Sequence, residues 1–308
     1  MNLLLIALGV ALLYAGGEAL VRGASALGRR FGLSSLVIGL TVVSTGTSSP
    51  ELAATLAASF EGAPAIAFGN VVGSNIANLG LVLGLTALLW PLNAGRALIR
   101  RDVPLMLAAS LLLCGMAANG LIGRPEGIVL VVLLIAFLVY LVHSERQTAG
   151  AERESHPNRS ISVPRNLALV IVGVILLIVG AKALVVGAVG VARFLGISER
   201  VIGLTVVAFG TSLPELASCL VAALRHEGDI VLGNLVGSNI FNILFILGVT
   251  TTVRPLAIEL EAATMDLVVM VAFAALAGLL IATRQRLTKL EGGFLFVAYL
   301  VYVGSLFA

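Results

Sequence analysis

Apolar residues in this chain come in long blocks with short polar breaks between them, without the alternation that marks a half-buried strand. Ten blocks read as helices that cross a bilayer, near 3–28, 33–60, 65–90, 102–119, 125–143, 165–194, 199–224, 229–253, 263–283 and 288–307. One polar stretch is long, residues 144–164, rich in Glu, Arg and Ser, and it reads as a mobile linker too short to fold as a domain. The pattern predicts an all-α integral membrane protein with a five-helix unit at 1–143, a linker at 144–164 and a second five-helix unit at 165–308. Blocks of helical length favour helices over a membrane barrel, whose strands would alternate.

The two units match each other. Val37-Ile38-Gly39-Leu40-Thr41-Val42-Val43 returns as Val201-Ile202-Gly203-Leu204-Thr205-Val206-Val207, and Gly73-Ser74-Asn75-Ile76 returns as Gly237-Ser238-Asn239-Ile240, both at an offset of 164 residues. An odd number of crossings per unit starts the second unit from the opposite side, which predicts inverted repeats with a site near the midplane. Arginines set the orientation. Arg29, Arg30, Arg96, Arg100, Arg101, Arg225, Arg284 and Arg286 fall with the linker on one side, while the other side holds Arg124, Arg193, Arg200 and Arg254. The linker is therefore expected in the cytoplasm and both termini outside. Glu18 and Arg22 near the end of the first block, with no small-residue cleavage site, mark it as a retained helix.

Composition narrows the function classes. Of 308 residues, 59% are hydrophobic and 11% charged, against about 25% charged in soluble domains. A net charge of +3 spread over many loops argues against a nucleic-acid partner. The two cysteines, Cys114 and Cys219, sit inside apolar blocks and offer neither a disulfide framework nor zinc spacing. No phosphate-binding glycine loop ending in Lys and Ser or Thr is present, and no cofactor is expected. Asp102 and Asp266 match across the repeat beside expected helix starts and read as caps.

Two segments break the apolar pattern in each unit. Gly46-Thr47-Ser48-Ser49-Pro50-Glu51 returns as Gly210-Thr211-Ser212-Leu213-Pro214-Glu215. Proline lacks the N–H that would bond four residues back and disfavours helix at the residue before it, so each helix is expected to break here. An intramembrane glutamate is costly and must face protein, water or an ion. Gly69-Asn70-Val71-Val72-Gly73-Ser74-Asn75-Ile76-Ala77-Asn78 returns as Gly233-Asn234-Leu235-Val236-Gly237-Ser238-Asn239-Ile240-Phe241-Asn242. Ser74 and Asn78 share a helix face, as do Ser238 and Asn242. Assembled by a pseudo-twofold, Glu51 and Glu215 would face each other among Thr47, Ser48, Thr211, Ser212, Ser74, Ser238, Asn78 and Asn242. Such a set offers only oxygen, which suits sodium, calcium, magnesium or manganese and disfavours zinc or copper. Buried glutamates also serve as interhelical glue, and the serines and asparagines also satisfy broken backbone. Asn70, Asn75, Asn234 and Asn239 read as structural.

The paired GTSxPE and GNxxGSNIxN segments in inverted five-helix units resemble the sodium/calcium exchanger family of the cation/calcium antiporters. The resemblance covers both units and implies a secondary antiporter of calcium and sodium in the cell (inner or plasma) membrane. It implies Glu51 and Glu215 as principal calcium ligands, assisted by Thr47, Ser48, Thr211 and Ser212, with backbone oxygens of Ser44 and Ala208. It further implies Ser74 and Ser238 as sodium ligands, and a first and sixth helix that slide across the core. Beyond these ions and the bilayer, no obligatory protein partner is expected. One position departs from the family pattern, where well-studied members carry aspartate and this chain carries Asn242. Two carboxylates then remain, which one calcium, two sodium ions or two protons neutralise. Exchange less electrogenic than three sodium per calcium is expected, and a proton-coupled calcium antiporter using the same glutamates is the alternative. A membrane-embedded hydrolase or a passive channel fits the residues less well.

Overall fold

In the computed structural model, residues 2–152, 162–196 and 210–306 are described, apart from the side chains of 145–152 and 262. The described chain is helical apart from turns and four two-residue strands. Six helices are long and apolar enough to cross a membrane: Asn2–Phe31, Pro64–Leu89, Arg124–Ser144, Val163–Phe194, Gly228–Val253 and Ala263–Arg284. The chain is an all-α, multi-pass membrane protein.

We number the helices α1 (Asn2–Phe31), α2 (Ser35–Thr47), α3 (Ser49–Phe60), α4 (Pro64–Leu89), α5 (Val103–Ala117) and α6 (Arg124–Glu152). They continue as α7 (Val163–Phe194), α8 (Leu213–Leu224), α9 (Gly228–Val253), α10 (Leu260–Arg284) and α11 (Lys289–Ser305). The block expected at 33–60 is thus two helices, and the one expected at 199–224 is described only from Gly210. Helix α6 runs on to Glu152, into the stretch read as linker, and residues 153–161 lie outside the described part.

α1 and α7 form the most extensive helix pair. They lie antiparallel, with Gly9, Gly16 and Gly23 on one and Gly173, Gly180 and Gly187 on the other, each set spaced by seven. A β-carbon on Gly16 would stand 2.8 Å from the Gly173 carbonyl oxygen, and one on Gly173 would stand 2.9 Å from that of Gly16. Small residues let the two backbones touch along helices of 30 and 32 residues. Each rises about 45 Å, longer than the roughly 30 Å hydrocarbon layer, so both must tilt or project.

The core is built by α2, α4, α8 and α9. α2 lies against α9, where Gly39 meets Gly233: a β-carbon on Gly39 would stand 3.1 Å from the Gly233 Cα. The two stretches that open with an asparagine, Asn78–Leu83 and Asn242–Leu247, widen from α to π geometry within α4 and α9. π segments are rare and concentrate where a helix must re-aim a side chain.

Two short ribbons link the units. Leu92–Asn93 pairs antiparallel with Arg286–Leu287, and Leu121–Ile122 pairs antiparallel with Leu256–Ala257. Each ribbon takes one strand from each unit, so the units hold each other at both places.

The aspartates read as caps do other work. Asp102 precedes α5 but makes no capping bond. It lies fully buried against Arg101, whose Nε and Nη2 donate to its two carboxylate oxygens at 2.7 and 3.1 Å. Asp266 sits within α10 and accepts the Tyr302 hydroxyl of α11 at 2.7 Å. In both cases a nearby strong donor outcompetes backbone N–H groups for the carboxylate.

Candidate cation site

Pro50 and Pro214 do locally what their chemistry dictates. Helix α2 ends at Thr47, Ser48 leaves helical geometry at φ −83°, ψ 5°, and α3 starts with Pro50 in its first turn. The second unit repeats this at Ser212 (φ −85°, ψ 2°), with Pro214 opening α8. Each glutamate therefore lies in the first turn of a helix, where unpaired N–H groups favour negative charge.

Glu51 and Glu215 are 2% and 1% exposed. α3, carrying Glu51, packs on the π segment that Asn242 opens, and α8, carrying Glu215, packs on the π segment that Asn78 opens. The two units are thus interleaved: each glutamate helix meets the π segment of the other unit. Ser48 of the first unit donates to Glu215 Oε1 of the second at 3.2 Å.

Among the described residues, buried oxygens on α3, α4, α8 and α9 have no partner. Glu51 Oε2, Glu215 Oε2, Asn78 Oδ1 and Asn242 Oδ1 are all buried acceptors without a donor. Leaving one buried acceptor unpaired costs about 1–3 kcal/mol, more for a charged group. Two carboxylates and two amide oxygens, all buried, are the kind of oxygen ligands a hard cation takes. Among the described residues no three of His, Cys, Asp and Glu gather to hold a metal, so the negative charge at the centre comes from the two glutamates alone.

A second layer holds the glutamates. Thr55 Oγ1 donates to the Glu51 carbonyl at 2.7 Å, and Asn70 Nδ2 reaches that carbonyl and Thr55 Oγ1 at 3.3 and 2.9 Å. In the other unit Ser218 Oγ donates to the Glu215 carbonyl at 2.9 Å. Asn234 Nδ2 donates to Ser218 Oγ and Cys219 Sγ, while its Oδ1 accepts from Thr47 and Ser238 at 3.2 and 3.4 Å. Both ends of the Asn234 amide are thus engaged, one of them across the units by Thr47. Thr55 and Ser218 were not foreseen; their signal is the i+4 and i+3 spacing from the glutamates.

The remaining expected residues are placed as follows. Ser74, Ser238 and Ser212 are buried and Thr211 is half-buried in its turn. The Ser44 carbonyl already accepts from Ser48 N–H at 2.9 Å and Thr47 Oγ1 at 3.4 Å. Ala208 lies outside the described residues.

At one edge of the core, Glu18 of α1 takes a bidentate pair from Arg225, just past α8, at 2.7 and 2.6 Å, and a further contact from Arg22. The counterparts of Glu18 and Arg225 at the offset of 164 are Lys182 and Glu61, the same pairing with its signs exchanged. Among the described residues neither Lys182 nor Glu61 forms an ion pair, and both are exposed.

The chain also matches known proteins. The profile of the family described as "Sodium/calcium exchanger protein" matches residues 1–143 and 165–308. The chain is 38% identical to the putative antiporter CaxA of Alkalimonas amylolytica over 98% of both chains. It is 33% identical to the sodium/calcium exchanger MaX1 of Methanosarcina acetivorans, over 99% of this chain and 98% of that one. Among solved structures it resembles the sodium-calcium exchanger NCX_Mj soaked with sodium and without calcium. That likeness has a TM-score of 0.86 and 35% identity, and covers 99% of this chain and 98% of the other.

Proposed function

The chain belongs to the sodium/calcium exchanger family, and from that premise we propose that it exchanges sodium for calcium by alternating access at a site between Glu51 and Glu215. The observation that carries this reading is the set of four partnerless buried oxygens on Glu51, Glu215, Asn78 and Asn242. A dication among them would satisfy all four and cancel both charges. In this reading Thr47, Ser48, Thr211 and Ser212 assist the glutamates, Ser74 and Ser238 serve sodium, and the backbone oxygens of Ser44 and Ala208 complete the set. The architecture proposed is ten crossings in two inverted repeats, with the linker cytoplasmic and both termini outside.

The test is calcium uptake into sodium-loaded proteoliposomes diluted into sodium-free buffer at fixed pH. Uptake that follows the sodium gradient supports the reading. Uptake indifferent to sodium but driven by a pH gradient would replace it with proton coupling at the same glutamates.

Alternating access is supported by the sign-exchanged ion pairs. Glu18–Arg225 ties α1 to the end of α8 on the face read as cytoplasmic, while Lys182 and Glu61 stand unpaired among the described residues. Exchanging the roles of the two repeats would break the first pair and form the second. A half-exposed pair of this kind is worth up to about 1 kcal/mol, which shifts a two-state ratio roughly fivefold. Glu18→Gln is therefore expected to strengthen the apparent calcium affinity seen from the cytoplasmic face and weaken it from the other face. Right-side-out and inside-out vesicles measure the two, and shifts in the same direction on both faces would speak against the latch.

A further inference from the structure

Asn242 is held by a directional chain of hydrogen bonds that starts outside the site. Met270 of α10 is 1% exposed, and its thioether sulfur has no hydrogen to give. Asn75 Nδ2 points at that sulfur from 3.6 Å. Turned the other way, the Asn75 amide would set its oxygen against sulfur, two acceptors with no hydrogen between them. The sulfur therefore selects one orientation, with Asn75 Oδ1 directed away from Met270. That oxygen accepts from Asn242 Nδ2 at 3.0 Å. The Asn242 amide is fixed in turn, and its Oδ1 is left as one of the four partnerless acceptors of the cation site. The counterparts at the offset of 164 are Met106, Asn239 and Asn78, and they do not close the same chain. Asn239 Nδ2 donates instead to the Leu235 carbonyl at 3.0 Å, and its Oδ1 has no partner.

Resting on the cation site proposed above, we propose that Met270 and Asn75 are positioning residues that hold the Asn242 amide oxygen toward the cation and demand a hydrogen-bond donor at position 242. A carboxylate there would bring an oxygen against Asn75 Oδ1 with no hydrogen to share. The chain thereby keeps the site at two negative charges, and the neutral residue at 242 is a consequence of its surroundings.

The test is a double-mutant cycle on Met270→Leu and Asn242→Asp in the full-length protein, read as sodium-driven calcium uptake at fixed pH. Leucine conserves the volume of methionine closely enough to spare the packing. Met270→Leu frees the Asn75 amide to turn, and loss of such a supporting partner weakens metal affinity about tenfold, seen as a raised KM for calcium with little change in maximal rate. Asn242→Asp alone is expected to lose uptake more than tenfold, on the same scale. Adding Met270→Leu to it lets Asn75 present its Nδ2 to the new carboxylate, so the double variant is expected to regain uptake that the single variant lost. Such sign-reversed coupling is a property of groups in one network. A folding defect in Asn242→Asp would not be repaired by removing a thioether, so recovery separates positioning from stability.

Unchanged calcium affinity in Met270→Leu, or a double variant that is merely the product of the two singles, would overturn the proposal while wild-type uptake leaves the cation site standing. Wild-type protein that takes up no calcium under any sodium gradient would remove the cation site and this chain of positioning residues together.

Discussion

Glu51→Gln and Glu215→Gln are each expected to abolish sodium-driven calcium uptake. Removing one charge from a buried, compensated set costs about 3–5 kcal/mol, and each 1.4 kcal/mol is roughly tenfold in affinity, so the loss is a hundredfold or more. The sign of the stability change separates ligation from folding. Without an ion, two buried acids repel each other when both are ionised, and each holds a partnerless oxygen. Neutralising one relieves that repulsion, so ion-free Glu51→Gln should melt no lower than ion-free wild type. Calcium stabilises what it binds, by about 2.7 kcal/mol at a concentration a hundred times Kd. Wild type should therefore gain thermal stability on adding calcium, and either variant should not. Variants that unfold without calcium, or that retain the calcium-induced gain, would show the glutamates to be interhelical glue.

Calcium exchange by this protein is expected to be nearly indifferent to membrane voltage. In the proposed site the charge comes from Glu51 and Glu215, and position 242 contributes a neutral amide. One calcium or two sodium ions neutralise such a centre, so a cycle exchanging them moves no net charge. A cycle carrying one net charge couples to about 2.3 kcal/mol per 100 mV, which is roughly a fiftyfold change in the calcium gradient sustained. The check is uptake in proteoliposomes whose potential is set by a potassium gradient and valinomycin, at constant sodium. A change below about threefold per 100 mV fits the neutral cycle on that scale, and a fiftyfold change overturns it. The Met270–Asn75–Asn242 chain predicts in addition that voltage dependence appears only when position 242 carries a charge that its neighbours accept.

Much of this was legible in the amino-acid sequence because it depends on local chemistry. Helical blocks follow from runs of apolar side chains, which need no knowledge of partners. The breaks at Ser48 and Ser212 follow from Pro50 and Pro214, since a missing N–H disrupts a helix wherever it occurs. The offset of 164 related the two units, matching Glu51 with Glu215 and Asn78 with Asn242 by position.

Contacts between distant segments were decided by packing. The glycines of α1 and α7 are visible as a spacing of seven, but only the antiparallel pairing reveals that they face one another. Asp102 and Asp266 read alike as caps, yet Arg101 claims one and Tyr302 the other, because a carboxylate follows the strongest donor that the folded neighbourhood brings to it. Glu18 and Arg225 are 207 positions apart, and nothing local in either predicts their pairing. The same holds for Asn242. Its identity is written in the sequence, but the way its amide turns is set by Asn75 and by a methionine sulfur on another helix. Hydrogen bonds have direction, and direction is inherited from neighbours that only the tertiary structure assembles.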